Sequence, residues 1–184
     1  TRGGYEYSRS GNPTRTVLEE CLASLEGGRH GLAFASGLAA EDAVLRALTG
    51  PDGHCVVPHD AYGGTYRLFA RVYGAWGVRC SPVDLTDLEA VRAGIVPEQT
   101  TVVWVETPTN PLLNVVDIAA VAEIAHAAGA LLVVDNTFAS PYLQQPLSLG
   151  ADIVVHSTTK YIGGHSDVVG GALVVDDDRL AEKL

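Results

Sequence analysis

Lys160 is the residue with the most chemistry to offer, and its setting says which chemistry. It closes the segment DIVVHSTTK, where an apolar run from Asp152 gives way to Ser157, Thr158 and Thr159. Twenty-five residues earlier a second apolar run, Ala130 to Val134, ends on Asp135 in ALLVVDNT. Two buried strands that carry polar groups at their C-terminal tips build a site in an open α/β sheet. A lysine so placed suits Schiff-base chemistry. A free amine titrates near ~10.4, so it must be desolvated or set among charges to attack a carbonyl at neutral pH. An aspartate on the neighbouring tip suits the partner of a pyridinium nitrogen. Taken singly, the two residues have ordinary explanations, a solvated lysine and a helix-capping aspartate. Other motifs shift the balance.

FASGLAA places Ser36, Gly37 and Leu38 at a strand-to-helix turn. Free N–H groups at a helix start, with a glycine permitting close approach, make an anion cradle or a plain cap. The segment is neither GxSxG nor GxGxxG nor a Walker loop, so a nucleophile elbow, NAD and ATP are unsupported. DAYGGTYRLF sets Tyr62 before two glycines at a strand end, where its ring can stack on a flat cofactor or simply pack on the surface. In VETPTNPLL two prolines are expected to hold the turn extended and fix Asn110, which can donate to a phenolate oxygen or cap the turn. HSTTK adds the Ser157 and Thr159 hydroxyls as phosphate donors. His156 and His165 are nine residues apart with no partner in a recognised metal register, so no metal site is expected.

The elements that must position these residues alternate. Asn12 and Pro13 open a helix to about Glu26, stopped by Gly27-Gly28. Leu18, Cys21, Leu22 and Leu25 lie at helical spacing and are expected to pack in the core. Strands are expected at Leu32–Ser36, His54–Val57, Val78–Ser81, Thr101–Val105, Ala130–Val134, Asp152–Val155 and Ala172–Val175. Helices are expected from Ser36-Gly37 to Leu48, Gly64 to Tyr73, Asp84 to Ala93, and from the cap Asp117 to about Ala128. This order predicts an α/β fold, a mostly parallel sheet covered on both faces through right-handed crossovers.

Composition agrees. The chain has 184 residues, 47% of them hydrophobic, enough for one domain with a real core. A net charge of −10 with no basic cluster argues against nucleic acid. No apolar run reaches membrane-spanning length and no signal peptide is visible, so a cytoplasmic protein is expected. Three cysteines without CxxC spacing point to a reducing compartment and buried thiols. The chain does not begin with Met and ends on Leu184 inside an apparent helix, so both ends read as cut.

Together YEYSRSGNPTR, FASGLAA, DAYGGTYRLF, VETPTNPLL and the block from Asp135 to Gly171 resemble the trans-sulfuration enzymes that use pyridoxal 5′-phosphate (PLP). The resemblance spans nearly the whole chain. It implies the large domain of a fold-type I PLP-dependent enzyme over residues 13–184, and a homotetramer built as a dimer of dimers. Residues 1–12 become an arm that reaches a neighbouring subunit, with Tyr7 and Arg9 as phosphate ligands there; a guanidinium fork suits that task. Lys160 resembles the Schiff-base lysine, Asp135 the pyridine partner and Tyr62 the stacking ring. Ser36, Gly37, Leu38, Ser157 and Thr159 resemble the phosphate cup, and Asn110 the neighbour of the phenolic oxygen. Leu38 replaces the usual Met of the cradle, a tolerable exchange if the contact is a backbone N–H. Gly64 stands where methionine γ-lyases commonly carry Cys. The resemblance also implies a C-terminal small domain, with the substrate-carboxylate arginine, outside these 184 residues. The implied activity is γ-replacement on an O-acylhomoserine with cysteine to give cystathionine. Second comes γ-elimination of cystathionine to cysteine, ammonia and 2-oxobutyrate. A non-catalytic binding or scaffold protein on the same fold is the alternative of another class.

Overall fold

The computed structural model describes residues 4–184. Helix α1 (Pro13–Glu26) starts where Asn12 Oδ1 accepts the N–H groups of Thr14 and Arg15, and stops at Gly27, whose φ of 75° is left-handed. There follow β1 (His30–Phe34), α2 (Gly37–Leu48), β2 (His54–Pro58) and α3 (Gly63–Tyr66). Then come β3 (Arg79–Val83), α4 (Leu88–Gly94), β4 (Thr100–Glu106), α5 (Ile118–Ala127) and β5 (Leu131–Asp135). The short α6 (Ser140–Leu143), β6 (Ile153–His156), β7 (Gly171–Val175) and α7 (Asp178–Lys183) complete the chain.

The seven strands among the described residues form one sheet in the order β1-β7-β6-β5-β4-β2-β3. Only β7 runs antiparallel, to both β1 and β6. The other strands share one direction, so their C-terminal tips open along one edge. β2, β4, β5 and β6 are apolar on both faces because helices cover both. On one face Val56, Val103, Val105, Leu132 and Val134 pack against α4 and α5. Beside them Val154, Ala172 and Val174 meet Leu22 and Ala23 of α1. On the other face Cys55, Val102, Trp104, Val133 and Ile153 pack against α2 and Phe69. Trp104 is fully buried and meets Phe69 edge to face at 5.2 Å.

Several expectations need correction. Of the apolar stripe on α1 only Leu22 enters the core; Leu18, Cys21 and Leu25 are exposed on the helix's outer side. The inner face is Leu22, Ala23 and Glu26 instead. Cys55 is buried but Cys80 only partly so. The expected helix from Gly64 to Tyr73 is one α-turn followed by a π-helix over Arg67–Tyr73 and a 3₁₀ turn at Gly74–Trp76. That irregular path still buries Phe69 and Tyr73. The helix expected from Asp84 begins at Leu88, because Asp84 folds a local turn by accepting from Thr86 and Asp87 is the true cap. The β1 and β3 boundaries shift by one or two residues. Among the described residues no helix is long and apolar enough to cross a membrane.

Candidate active site

A cavity of about 720 Å³ opens at the C-terminal tips of β4, β5 and β6. Ser36, Gly37, Leu38, Tyr62, Asn110, Asp135, Ser157, Thr159 and Lys160 all line it. Residues from five separate segments of the sequence therefore meet in one place. Tyr7 and Arg9 do not. They lie exposed on the N-terminal arm, with the Arg9 guanidinium 5.0 Å from the Tyr7 ring centroid.

The start of α2 forms one wall. Ser36 caps the helix by accepting from Ala39 N, which leaves the first N–H groups, Gly37 and Leu38, without intrahelical acceptors. A Cβ on Gly37 would lie 2.8 Å from Ser157 Cβ, and one on Gly171 would lie 2.1 Å from Ser36 O. Only glycine at both places lets the helix start sit against the β6 tip. Ser157 Oγ has no protein partner among the described residues. Thr159 Oγ1 is already engaged, donating to Gly170 O at 3.2 Å and accepting from Gly170 N at 3.0 Å.

The floor is acidic, and two of its three carboxylates, Glu41 and Glu106, were not among the residues expected from sequence. Glu106 and Asp135 are register partners on adjacent parallel strands, so their side chains leave the same face side by side. Glu41 reaches the same floor from α2 and is 3% exposed. Glu106 Oε2 accepts from Tyr62 N at 2.8 Å, and Glu41 Oε1 accepts from Thr65 Oγ1 at 3.3 Å. Glu41 Oε2 and Glu106 Oε1 are buried with no partner. Burial first, then Asp135 and Glu106 close by, push Glu41 up to about 9. Burial and Asp135 push Glu106 up to about 7. Burial also raises Asp135, opposed by hydrogen bonds from Thr137 and by His156. Thr137 N donates to Asp135 Oδ1 at 2.9 Å while Thr137 Oγ1 accepts from Ser157 N at 2.8 Å, which ties the two tips together. Signals existed in the sequence: VVWVE ends as LLVVD does, and Glu41 falls on the same helical stripe as Ala40, Val44 and Leu45.

The opposite wall carries Tyr62, Asn110 and Lys160. A Cβ on Gly64 would stand 2.4 Å from Tyr62 Cε1, so the glycine gives the ring its seat. The loop bearing Asn110 has cis bonds at Thr107–Pro108 and Asn110–Pro111, where an extended turn was expected. Lys160 is exposed at the cavity mouth rather than desolvated, because the turn after β6 carries it beyond the strand end. The sequence contains one other lysine, Lys183, on α7.

Comparison with known proteins decides the family. Residues 1–184 match the model of the Cys/Met metabolism PLP-dependent enzymes. The chain belongs to that family. It is 60% identical over 183 residues to a cystathionine gamma-synthase of Mycobacterium tuberculosis, covering 100% of this chain and 47% of that protein. It is 52% identical over 181 residues to a cystathionine gamma-lyase of Bacillus subtilis, covering 98% of this chain and 47% of that protein. The crystal structure of metB from Corynebacterium glutamicum superposes with a TM-score of 0.96 at 56% identity, covering 99% of this chain and 47% of that one. The fold is thus that of the fold-type I large domain, and the chain spans about half the length of these relatives. Cys/Met metabolism enzymes of this kind use PLP, and the cavity fits it. The helix start suits a phosphate, the acidic floor with its orphaned oxygens suits a cationic ring, and Lys160 suits a carbonyl.

Proposed function

We propose that the protein containing this chain joins an O-acylhomoserine to cysteine, giving cystathionine. The observation that carries the reading is the meeting of Lys160, Asp135 and the α2 cradle in one cavity, drawn from adjacent strand tips. The 60% identity to a cystathionine gamma-synthase supports the substrate pair. The similarity to a gamma-lyase supports a second reading, cleavage of cystathionine to cysteine, ammonia and 2-oxobutyrate.

In this reading the Gly37 and Leu38 N–H groups and the Ser157 hydroxyl hold the cofactor phosphate. Tyr62 stacks on the ring, and Asn110 donates to its phenolic oxygen. Asp135, steadied by Thr137, holds the proton on the ring nitrogen. When bound, PLP supplies an electron sink beside the substrate's α-carbon. The Lys160 amine would hold the cofactor through its carbonyl and would serve as the base for the substrate's α-proton. Tyr62 Oη accepts the proton of the substrate's amine. The γ-acyloxy group would leave as a carboxylate and the cysteine sulfur would take its place on the γ-carbon, the thiol proton balancing the departing carboxylate. The arm, with Tyr7 and Arg9, serves the phosphate of a neighbouring subunit in a homotetramer. Light scattering on the full-length protein tests the assembly, and a mass of four chains is expected.

A product assay on the full-length protein decides the reaction. O-succinylhomoserine with cysteine should yield cystathionine much faster than cystathionine alone yields 2-oxobutyrate. The reverse ratio selects the lyase, and no turnover of either leaves a binding or scaffold role.

A further inference from the structure

Behind the cavity, on the far face of the sheet, lies a buried polar chain that the proposed chemistry does not use. Glu26, the last residue of α1, is 1% exposed. Its Oε1 lies 2.5 Å from His156 Nε2 and accepts from Asn136 Nδ2 at 2.8 Å. Asn136 Nδ2 also donates to Gln144 O at 2.8 Å. Gln144 Nε2 in turn donates to Asn136 Oδ1 at 2.9 Å and to Thr107 O at 3.2 Å. Asn136 N donates to Val155 O at 3.0 Å. One helix end thus reaches, through this chain, the tips of β6, β5 and β4.

The placement follows from the period of a strand. Successive residues face opposite sides, so each network residue at a strand tip is the sequence neighbour of a cavity residue. Asn136 follows Asp135, His156 precedes Ser157, and Thr107 follows Glu106. The cavity needs three tips in fixed relation, and main-chain pairing of β5 to β6 stops at Asp135 and Val155. Beyond that point Thr137 holds the tips from the cavity side and Glu26 from the other. His156, 1% exposed, also bears on the carboxyl of Asp135, favouring its ionised form.

We propose that Glu26 is a positioning residue for the cofactor site: from the far side of the sheet it locks the β5 and β6 tips, and so fixes Asp135 relative to Ser157 and Lys160. The proposal rests on the PLP reading of the cavity, so the wild-type protein is its own control. The experiment strips the full-length protein of cofactor and titrates PLP back, following fluorescence and the visible band, for wild type, Glu26→Ala, Glu26→Gln and Gln144→Ala. Outer-shell partners of metal ligands typically contribute about 10–100-fold, and an effect of the same order is expected here. Glu26→Ala is expected to weaken PLP binding by about that factor and to move the pH midpoint of the visible band. Glu26→Gln keeps an oxygen for both donors and should recover most of the loss. Gln144→Ala, at the edge of the network, should lose less than Glu26→Ala. Val91→Ala on α4, which lines no part of the cavity, should lower the melting temperature and leave PLP affinity unchanged. A folded Glu26→Ala protein that binds PLP within about twofold of wild type overturns the proposal. If that variant does not fold, a Gln144→Ala protein that binds PLP within about twofold of wild type overturns it equally. Failure of the wild type to bind PLP would instead sink the cofactor reading.

Discussion

Two histidines mark opposite ends of the sheet, and their surroundings differ in kind. His54, at the N-terminal end of β2, is buried with both ring nitrogens partnered, Nδ1 with Thr100 Oγ1 at 2.7 Å and Nε2 with Ser81 Oγ at 2.9 Å. His156, at the C-terminal end of β6, faces a carboxylate through Nε2 and leaves Nδ1 buried with no partner. Among the described residues six buried side-chain polar atoms lack partners. Four of them, on Glu26, Glu41, Glu106 and His156, lie at the C-terminal end. Burying polar atoms unpaired opposes folding, so folding alone would not collect them on one edge. At the N-terminal end one such atom remains, Thr101 Oγ1 near the start of β4. At the C-terminal end Glu41 and Glu106 turn theirs toward the cavity, where a bound group would meet them.

Substitutions sharpen that contrast. The largest effect belongs to Lys160→Ala, which should reduce turnover of the full-length protein at least about 10³-fold while leaving the fold intact by circular dichroism. Asp135→Ala should follow, with a loss on the order of 10²–10³-fold in steady-state assays, since charge at the ring nitrogen is lost. Full activity in that variant would refute the role given to Asp135.

A pH experiment separates the two ends without turnover. Glu41 keeps its proton in the folded state up to about 9, whereas the unfolded chain loses it near 4.5. Above 4.5 the folded state therefore holds more protons, and this group's contribution to stability falls as pH rises towards 9. The slope is bounded by about 1.4 kcal/mol for each pH unit climbed. Glu41→Gln should flatten the fall in denaturant midpoint between pH 7 and 9 and be more stable than wild type at pH 9. An unchanged slope would show that Glu41 is already ionised. His54 has the opposite sign. Burial, then Arg79, hold its pKa below the ordinary value, so the unfolded chain takes up the proton first and stability falls as pH drops below about 6.5. His54→Gln should remove that acid-side loss, the smallest effect of the set, visible as a flatter melting temperature between pH 7 and 5.5.

The sheet was legible because strands covered on both faces read as short runs such as VVWV and LLVV, and because caps such as Asn12 and Asp117 act locally. The residues at the ends of those runs, Asp135 and Lys160, stood out by type. What sequence could not supply was orientation. Leu18, Cys21 and Leu25 have the spacing of a core stripe, yet Leu22, Ala23 and Glu26 form the face that α1 buries. Glu26, His156 and Asn136 come from three distant segments and gain meaning only when the sheet brings them together. Glu41 and Glu106 look like ordinary charged residues until their register partner and the depth of the cavity are known. The π-helix over Arg67–Tyr73 carries no local signal, being set by how Phe69 and Tyr73 must reach the core.

Borohydride reduction of the PLP-loaded full-length protein, followed by peptide mass spectrometry, tests the central assignment most directly. A pyridoxyl group on Lys160 is the predicted result. The same label on Lys183 or on any other lysine, with Lys160 unmodified, contradicts it.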